Sequence, residues 1–152
     1  MKAIFAQVQK MNHLSIKFTR GLDSIALLFL RLYASWIFLP AGWLKIKDWD
    51  TTMFLFEEEY QVPLLSPEIA AWAGTFGEIA FPLLLILGLL TRYAALGLFF
   101  VNVIAVISLA EVPPAALAEH ITWGLAIGVI FVWGAGAVSI DRLFGRASNN
   151  SK

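Results

Sequence analysis

The sequence contains no cysteine and only two histidines, His13 and His120, among its 152 residues. Without thiols, this chain cannot exchange disulfides, ligate an iron–sulfur cluster or bind a metal through thiolates. Two histidines are too few for the chain alone to build a haem or transition-metal centre, so we expect no metal site. The sequence also lacks a nucleophile paired with a base and a glycine-rich phosphate loop. The sequence therefore indicates no catalytic residue, and it leaves open whether the protein takes part in catalysis as an accessory subunit.

Charged residues are scarce. They make up 14% of the chain, against about 25% in an average soluble domain. Hydrophobic residues reach 59%, and the mean hydropathy is +0.75. Basic and acidic residues balance at 11 each, so the net charge gives no indication of a nucleic-acid partner. This composition leaves too little polar material to cover a soluble core and indicates one integral membrane domain.

Long apolar runs are abundant. A helix needs about 20 residues to cross the hydrocarbon layer, and four stretches are long enough. We predict membrane spans at about residues 22–44, 68–90, 93–111 and 119–138. The predicted fold is all-α, an integral membrane antiparallel four-helix bundle.

Two amphipathic segments accompany the predicted spans. Residues 1–20 alternate apolar and basic positions, which favours a basic amphipathic helix on the membrane surface, with a disordered basic tail as the alternative. Residues 45–66 are too charged to span, but one face repeats large apolar side chains at helical spacing: Trp49, Met53, Phe56 and Tyr60. We predict a short interfacial helix there, after the first span.

The distribution of basic residues predicts the orientation and the limits of the domain. With four spans, most of them fall on one side: Lys2, Lys10, Lys17, Arg20, Arg92, Arg142, Arg146 and Lys152. Cytoplasmic loops carry such an excess, so both termini are expected in the cytoplasm. We place the four-span domain at residues 21–142 and a disordered cytoplasmic tail at residues 143–152.

Three polar residues lie inside the predicted spans: Arg31, Glu78 and Asn102. A charge at this depth costs about 2.5–3.5 kcal/mol on insertion scales, so it rarely persists without a partner or a function. At 1.5 Å per residue, all three lie roughly 13–18 Å from the cytoplasmic side. We predict that Arg31 pairs with Glu78 and that Asn102 lies nearby. The pair either orients the helices and does nothing more, or contacts a ligand inside the bundle.

A second polar group is expected at the extracytoplasmic rim. Lys45 at the end of the first span and His120 at the start of the fourth are brought to the same side by the predicted topology. His120 suits proton transfer or a hydrogen bond to a ligand, and a solvated rim histidine is the alternative. The candidate ligand-binding residues are therefore Arg31, Glu78, Asn102, Lys45 and His120.

Several short motifs indicate structural positions. Ser139 and Asp141 follow the fourth span, where they are suited to satisfy loose backbone groups. The motif positions expected to serve the structure are Gly42, Gly88, Gly134, Gly136, Ser139 and Asp141.

Five features in a fixed order resemble the DoxX family of small four-span membrane proteins. They are Arg31 early in the first span, the GWLK exit from Gly42, Glu78 in the second span, the LGLLTR turn at 87–92 and the GAGAVSID segment at 134–141. The resemblance covers about residues 22–142. Ala135 stands where the family commonly has proline between the last two glycines.

The resemblance implies a bacterial inner-membrane protein. Some family members are subunits of a thiosulfate:quinone oxidoreductase, and others are linked to oxidative-stress handling with partner proteins. It implies a membrane subunit that binds a quinone or another lipid-like ligand, with no covalent cofactor, for a redox or stress-response partner. One alternative is a non-catalytic membrane scaffold or assembly protein. Another is a small transporter, but the sequence shows neither the broken helices nor the inverted repeat that are typical of transporters. The resemblance implies a protein partner at the inner membrane. The apolar spans make the bilayer a further partner, and a second copy of the chain is an open alternative.

Overall fold

A computed structural model describes the backbone of residues 2–150, the side chains of residues 21–145 and those of Gln7, Gln9, Met11 and Thr19. This part of the chain is helical and contains no strand. The helices are α1 (Lys2–Lys47), α2 (Trp49–Glu58), α3 (Pro67–Leu87), α4 (Thr91–Ile107), α5 (Pro114–Trp133) and α6 (Ile140–Asn150). The all-α prediction is confirmed.

The four long helices form a closed bundle. Helix α1 packs against α3, α3 against α4, α4 against α5, and α5 returns to α1. The bundle buries an apolar core, made of Ala34, Phe38, Leu85, Ala94, Ala95, Leu98, Ile127 and Ile130. Small residues in this core let the helices approach closely, as is usual where lipid provides no hydrophobic force between helices.

Among the residues that the structure describes, three helical segments are long and apolar enough to cross a membrane: Gly21–Lys47, Pro67–Leu87 and Pro114–Trp133. Helix α4 is apolar but has 17 residues, or about 25 Å at 1.5 Å per residue. It ends at Ile107 rather than near residue 111, because the chain turns before Pro113 and the Ser108 carbonyl accepts the Gln61 N–H at 2.7 Å. Helix α4 packs on both α3 and α5 and is the fourth helix of the bundle.

The ends of the chain differ from the sequence-based expectation. Residues 2–20 continue directly into the first span as one helix, because Gly21 alone does not stop a helix. The prediction that this segment lies on the membrane surface depends on its side chains, most of which lie outside the described residues. The tail expected to be disordered from residue 143 is helical to Asn150. Ser139 explains the start of this helix, since its hydroxyl caps the N–H of Arg142 at 3.3 Å.

The short helix after the first span is present as α2. The Asp48 side chain caps its amino end by accepting the Thr51 N–H at 3.1 Å. Its buried face carries Phe56, which packs with Ala70 and Ala71 of α3. This packing places the residues that follow α2 over one side of the bundle.

Candidate functional site

A cleft of about 430 Å³ lies between α3 and α4, and the segment around the end of α2 covers part of it. Aromatic side chains from α2, the segment after it, α3 and α4 line the cleft: Phe56, Tyr60, Phe81 and Phe100. Phe100 is 56% exposed, so the cleft opens on the outer face of the bundle. Its size and largely apolar walls are typical of small-molecule sites.

Lys45 and Glu78 form an ion pair on the wall of this cleft. Nζ of Lys45 donates to Oε2 of Glu78 at 2.5 Å, and the two side chains are only 22% and 11% exposed. Gly42 makes the contact possible, because a Cβ there would lie 2.9 Å from Cβ of Glu78. The missing side chain lets α1 approach α3, and Lys45 follows on the same helix face.

Arg31 does not pair with Glu78, so this prediction was wrong. Arg31 is 1% exposed, and its guanidinium donates to the carbonyls of Leu85, Ala135, Val138 and Ile86 at 2.6–2.9 Å. The last carbonyls of a helix lack intrahelical partners, and a planar fork of five donors can satisfy several of them. Arg31 therefore joins α1 to the end of α3 and to the segment after α5, and it does not line the cleft.

Asp141 has the complementary role at the start of α4. Its two carboxylate oxygens accept the N–H groups of Leu90 at 2.7 Å and Thr91 at 2.9 Å. Leu90 is held at φ 48°, a left-handed conformation that disfavours residues with a Cβ. The backbone N–H of Asp141 also donates to the Gly88 carbonyl at 2.9 Å. Asp141 therefore satisfies loose backbone groups in the turn between α3 and α4, and not at the end of the fourth span, where the sequence predicts them.

Gly134 and Gly136 shape the segment that carries Asp141 to this turn. Their φ angles are +82° and +74°, values that glycine adopts without steric cost. At Gly136 a Cβ would also lie 3.3 Å from Cβ of Leu27 on α1. The motif at 134–141 thus closes one end of the bundle.

Asn102 pairs with His120, across the interface of α4 and α5. The two side chains meet at 2.8 Å, between Oδ1 and Nδ1, and Nδ2 of Asn102 donates to the His120 carbonyl at 2.9 Å. Asn102 is 4% exposed. His120 lines the cleft and also a groove of about 600 Å³ on the other side of α4, which Asn102 lines too.

The five candidate ligand-binding residues are therefore distributed over two places. Lys45, Glu78 and His120 line one cleft, and Asn102 is hydrogen-bonded to the His120 ring. Arg31 lies with the backbone of the turn after α3. Within the described residues, no group of three or more histidine, cysteine or acidic side chains is placed to hold a metal ion.

Sequence reasoning missed the aromatic walls of the cleft. It assigned Phe56 and Tyr60 to the membrane interface, whereas both line the cleft. Tyr60 is half-buried beside acidic residues: burial raises the pKa of its phenol, and the charges of Glu59 and Glu78 raise this pKa further. The four-residue spacing of Phe56 and Tyr60 was the available signal, but it does not say what the shared face covers.

Comparison with known proteins places this arrangement in a family. A family model described as DoxX matches residues 26–111. An uncharacterized protein of Haemophilus influenzae is 28% identical over 134 residues, covering 82% of this chain and 87% of the relative. No solved structure matches. The matched region spans more than half of the chain and includes Lys45, Glu78 and Asn102, so the chain belongs to the DoxX family of multi-pass membrane proteins.

Proposed function

We propose that this DoxX-family protein binds a lipid-like ligand of the quinone class in the α3–α4 cleft, as a membrane subunit for a redox or stress-response partner. The observation that carries the proposal is the Lys45–Glu78 ion pair on the wall of an open, aromatic cleft. A ring fits between aromatic and aliphatic side chains, while a few polar groups orient it.

The ion pair supports ligand binding more than it supports stability. Removing two charges from water is costly, and replacing a buried pair by packed apolar residues is often neutral or stabilising. Here Oε2 of Glu78 binds Lys45, and Oε1 makes no hydrogen bond to the described part of the chain. The carboxylate therefore keeps an acceptor available to a molecule in the cleft.

The position of the opening suits a ligand that arrives from the bilayer. Phe100 and Ile104 of α4 line the cleft and are both exposed on the outer face. A head group entering between α3 and α4 would leave its apolar tail along this face, in contact with lipid. A scaffold needs no such opening, which favours ligand binding over that alternative.

We also propose that the protein lies in the bacterial inner membrane with both termini in the cytoplasm, as the excess of basic residues at one end of the bundle supports. The Arg31 and Asp141 contacts gather the end of α3, the start of α4 and the segment after α5 at that end. Lys45 lies near the opposite end of α1. The cleft then belongs to the extracytoplasmic half.

The proposal is tested by purifying the full chain into nanodiscs from native membranes and identifying bound lipids, quinones and proteins by mass spectrometry. We expect a quinone-class lipid enriched above its share of the bulk membrane, and a redox protein in the same preparation. Ala105→Phe should remove the enrichment, because Ala105 lines the cleft. Ala118→Phe, at an exposed α5 position outside the cleft, is the control and should keep it. No enrichment, or equal enrichment in both variants, would contradict the proposal.

A further inference from the structure

Asn102 holds the His120 ring in one orientation, and the hydrogen-bond chemistry fixes the orientation of Asn102 itself. One end of the Asn102 amide lies 2.9 Å from the backbone carbonyl of His120. A carbonyl oxygen only accepts hydrogen bonds, so the amide nitrogen must face it. The amide oxygen, Oδ1, must then face the imidazole ring.

This arrangement selects one tautomer of the ring. Oδ1 of Asn102 lies 2.8 Å from Nδ1 of His120, and because an amide oxygen only accepts, Nδ1 carries the proton. In a neutral imidazole the other nitrogen, Nε2, is then an acceptor. Trp123 packs edge-on against the ring at a centroid distance of 4.7 Å and limits its rotation.

Nε2 is available to a ligand. His120 lines the cleft, and Nε2 makes no hydrogen bond to the residues whose side chains are described. Glu78 provides a second acceptor on the same cleft wall, since its Oε2 binds Lys45 and its Oε1 stays unbonded within the described chain. Two residues with an unbonded acceptor therefore line the same largely apolar cleft.

We infer that the cleft selects a lipid-like ligand whose ring carries hydroxyl groups, the reduced or quinol form, over the corresponding dicarbonyl. This inference rests on the proposed function and specifies its ligand. A hydroxyl donates to Nε2 of His120 or to Glu78, whereas a carbonyl facing either acceptor leaves both oxygen and acceptor unsatisfied.

The other polar groups of the cleft do not reverse this preference. Lys45 lines the cleft as a donor, but a hydroxyl oxygen accepts from an ammonium group as a carbonyl does. Tyr60 and Ser108 also line the cleft, and a hydroxyl group both donates and accepts, so they adapt to either head group. Discrimination therefore depends on His120 and Glu78.

The test uses the full chain in nanodiscs at pH 8, above the ordinary imidazole pKa of about 6.5, so that the ring is neutral. Three probes share one alkyl tail: an alkylhydroquinone kept reduced under anaerobic conditions, its quinone and its dimethyl ether. We expect the hydroquinone to bind about tenfold more tightly than the other two, as one to two net hydrogen bonds provide. The dimethyl ether keeps the ring but has no donor.

Two variants assign the preference to the histidine. His120→Phe keeps a ring against Trp123 and removes Nε2, so hydroquinone affinity should fall several-fold while quinone affinity changes less than about twofold. Thr122→Val, on the same helix and outside both cavities, should leave the preference intact. Asn102→Leu releases the ring tautomer and should weaken the preference as well, which gives a second measurement if His120→Phe folds poorly.

Each outcome separates the inference from the proposed function. Equal binding of hydroquinone and quinone, lost for both in Ala105→Phe, would overturn the inference and leave the proposed function standing. A preference that persists undiminished in His120→Phe and Asn102→Leu would overturn the role of His120. If none of the three probes binds, both the inference and the proposed function fail.

Discussion

Lys45 and Glu78 form an ion pair at 2.5 Å across 33 residues of sequence, while Arg31, on the same helix as Lys45, donates to four carbonyls at 2.6–2.9 Å instead. Glu78 is the only buried carboxylate in the described part of the chain, and its partner is the lysine near the end of α1. Arg31, which lies deeper in the first span, binds backbone carbonyls.

This arrangement predicts which double substitution couples. Lys45→Met and Glu78→Gln should show a coupling free energy of about 1–3 kcal/mol in unfolding, because each single change leaves the partner charge poorly satisfied. Arg31→Lys combined with Glu78→Gln should be additive within about 0.5 kcal/mol, since these groups share no contact. The measurement is reversible unfolding of the wild type, the three single variants and the two double variants in mixed detergent micelles. Equal coupling in both cycles would mean that Arg31 does interact with Glu78.

Asp141 should be important for stability although it lies outside the predicted spans. Asp141→Ala leaves the N–H groups of Leu90 and Thr91 without their acceptor and should lower the unfolding free energy by about 1–2 kcal/mol, as for other lost helix caps. Asp141→Asn keeps one acceptor oxygen and should lose less. Thermal unfolding in detergent measures both, and Asp23→Asn, at an exposed position of α1, provides the control. A loss of similar size in the Asp23 variant would indicate a general charge effect.

The sequence predicted the bundle well because the apolar runs and the turn residues carry that information locally. Gly88 ends α3 in a left-handed conformation at φ +64°, and Pro67 starts it after the Ser66 cap. These signals depend on neighbouring residues, so they are readable without a structure. The boundaries of the last two spans were less accurate. Helix α4 ends early because of the contact between Ser108 and Gln61. Helix α5 runs from Pro114 to Trp133 rather than over residues 119–138, because it starts at a proline and the chain leaves the helical conformation at Gly134, with φ +82°.

The pairing of the buried charges could not be predicted in the same way. Depth along a helix placed Arg31 and Glu78 within reach of each other, but depth gives no information on the direction of a side chain around the helix axis. The competing partners of Arg31 were backbone carbonyls, which no sequence pattern marks. A useful signal was present in Gly42, since the close approach that it permits brings Lys45, one turn further on, beside Glu78.

Tyr60 predicts a dependence of stability on alkaline pH. Its raised pKa means that the folded protein keeps the phenol proton at a pH where the unfolded chain, with a pKa near 10, has lost it. The stabilisation is complete below about pH 10 and is lost as the pH rises through the folded pKa. Tyr60→Phe cannot ionise, so its unfolding free energy should fall less steeply above pH 10 than that of the wild type. Denaturant unfolding between pH 8 and 11 checks this, with the exposed Tyr93→Phe as the control. Parallel curves for the wild type and Tyr60→Phe would rule out this effect of Tyr60.

Two glycines predict opposite effects of the same substitution. At Gly88 an added Cβ would lie 2.6 Å from Cβ of Ser139 and 2.7 Å from Nη2 of Arg31, and φ is +64°. Gly88→Ala should therefore lower the unfolding free energy by at least about 1–2 kcal/mol, because neither the backbone nor the Arg31 network can give way freely. At Gly128, inside α5, an added Cβ would meet nothing within 4 Å.

Gly128→Ala should be neutral or stabilise the bundle by up to about 1 kcal/mol, as expected when alanine replaces glycine in an unobstructed helix. Thermal unfolding of both variants in the same detergent gives the comparison. If Gly128→Ala instead destabilises the protein as much as Gly88→Ala, then Gly128 is covered in the membrane by a second helix, and the groove between α4 and α5 is an interface. Matching melting temperatures for Gly88→Ala and the wild type would show that the turn after α3 can shift away from Arg31 and Ser139.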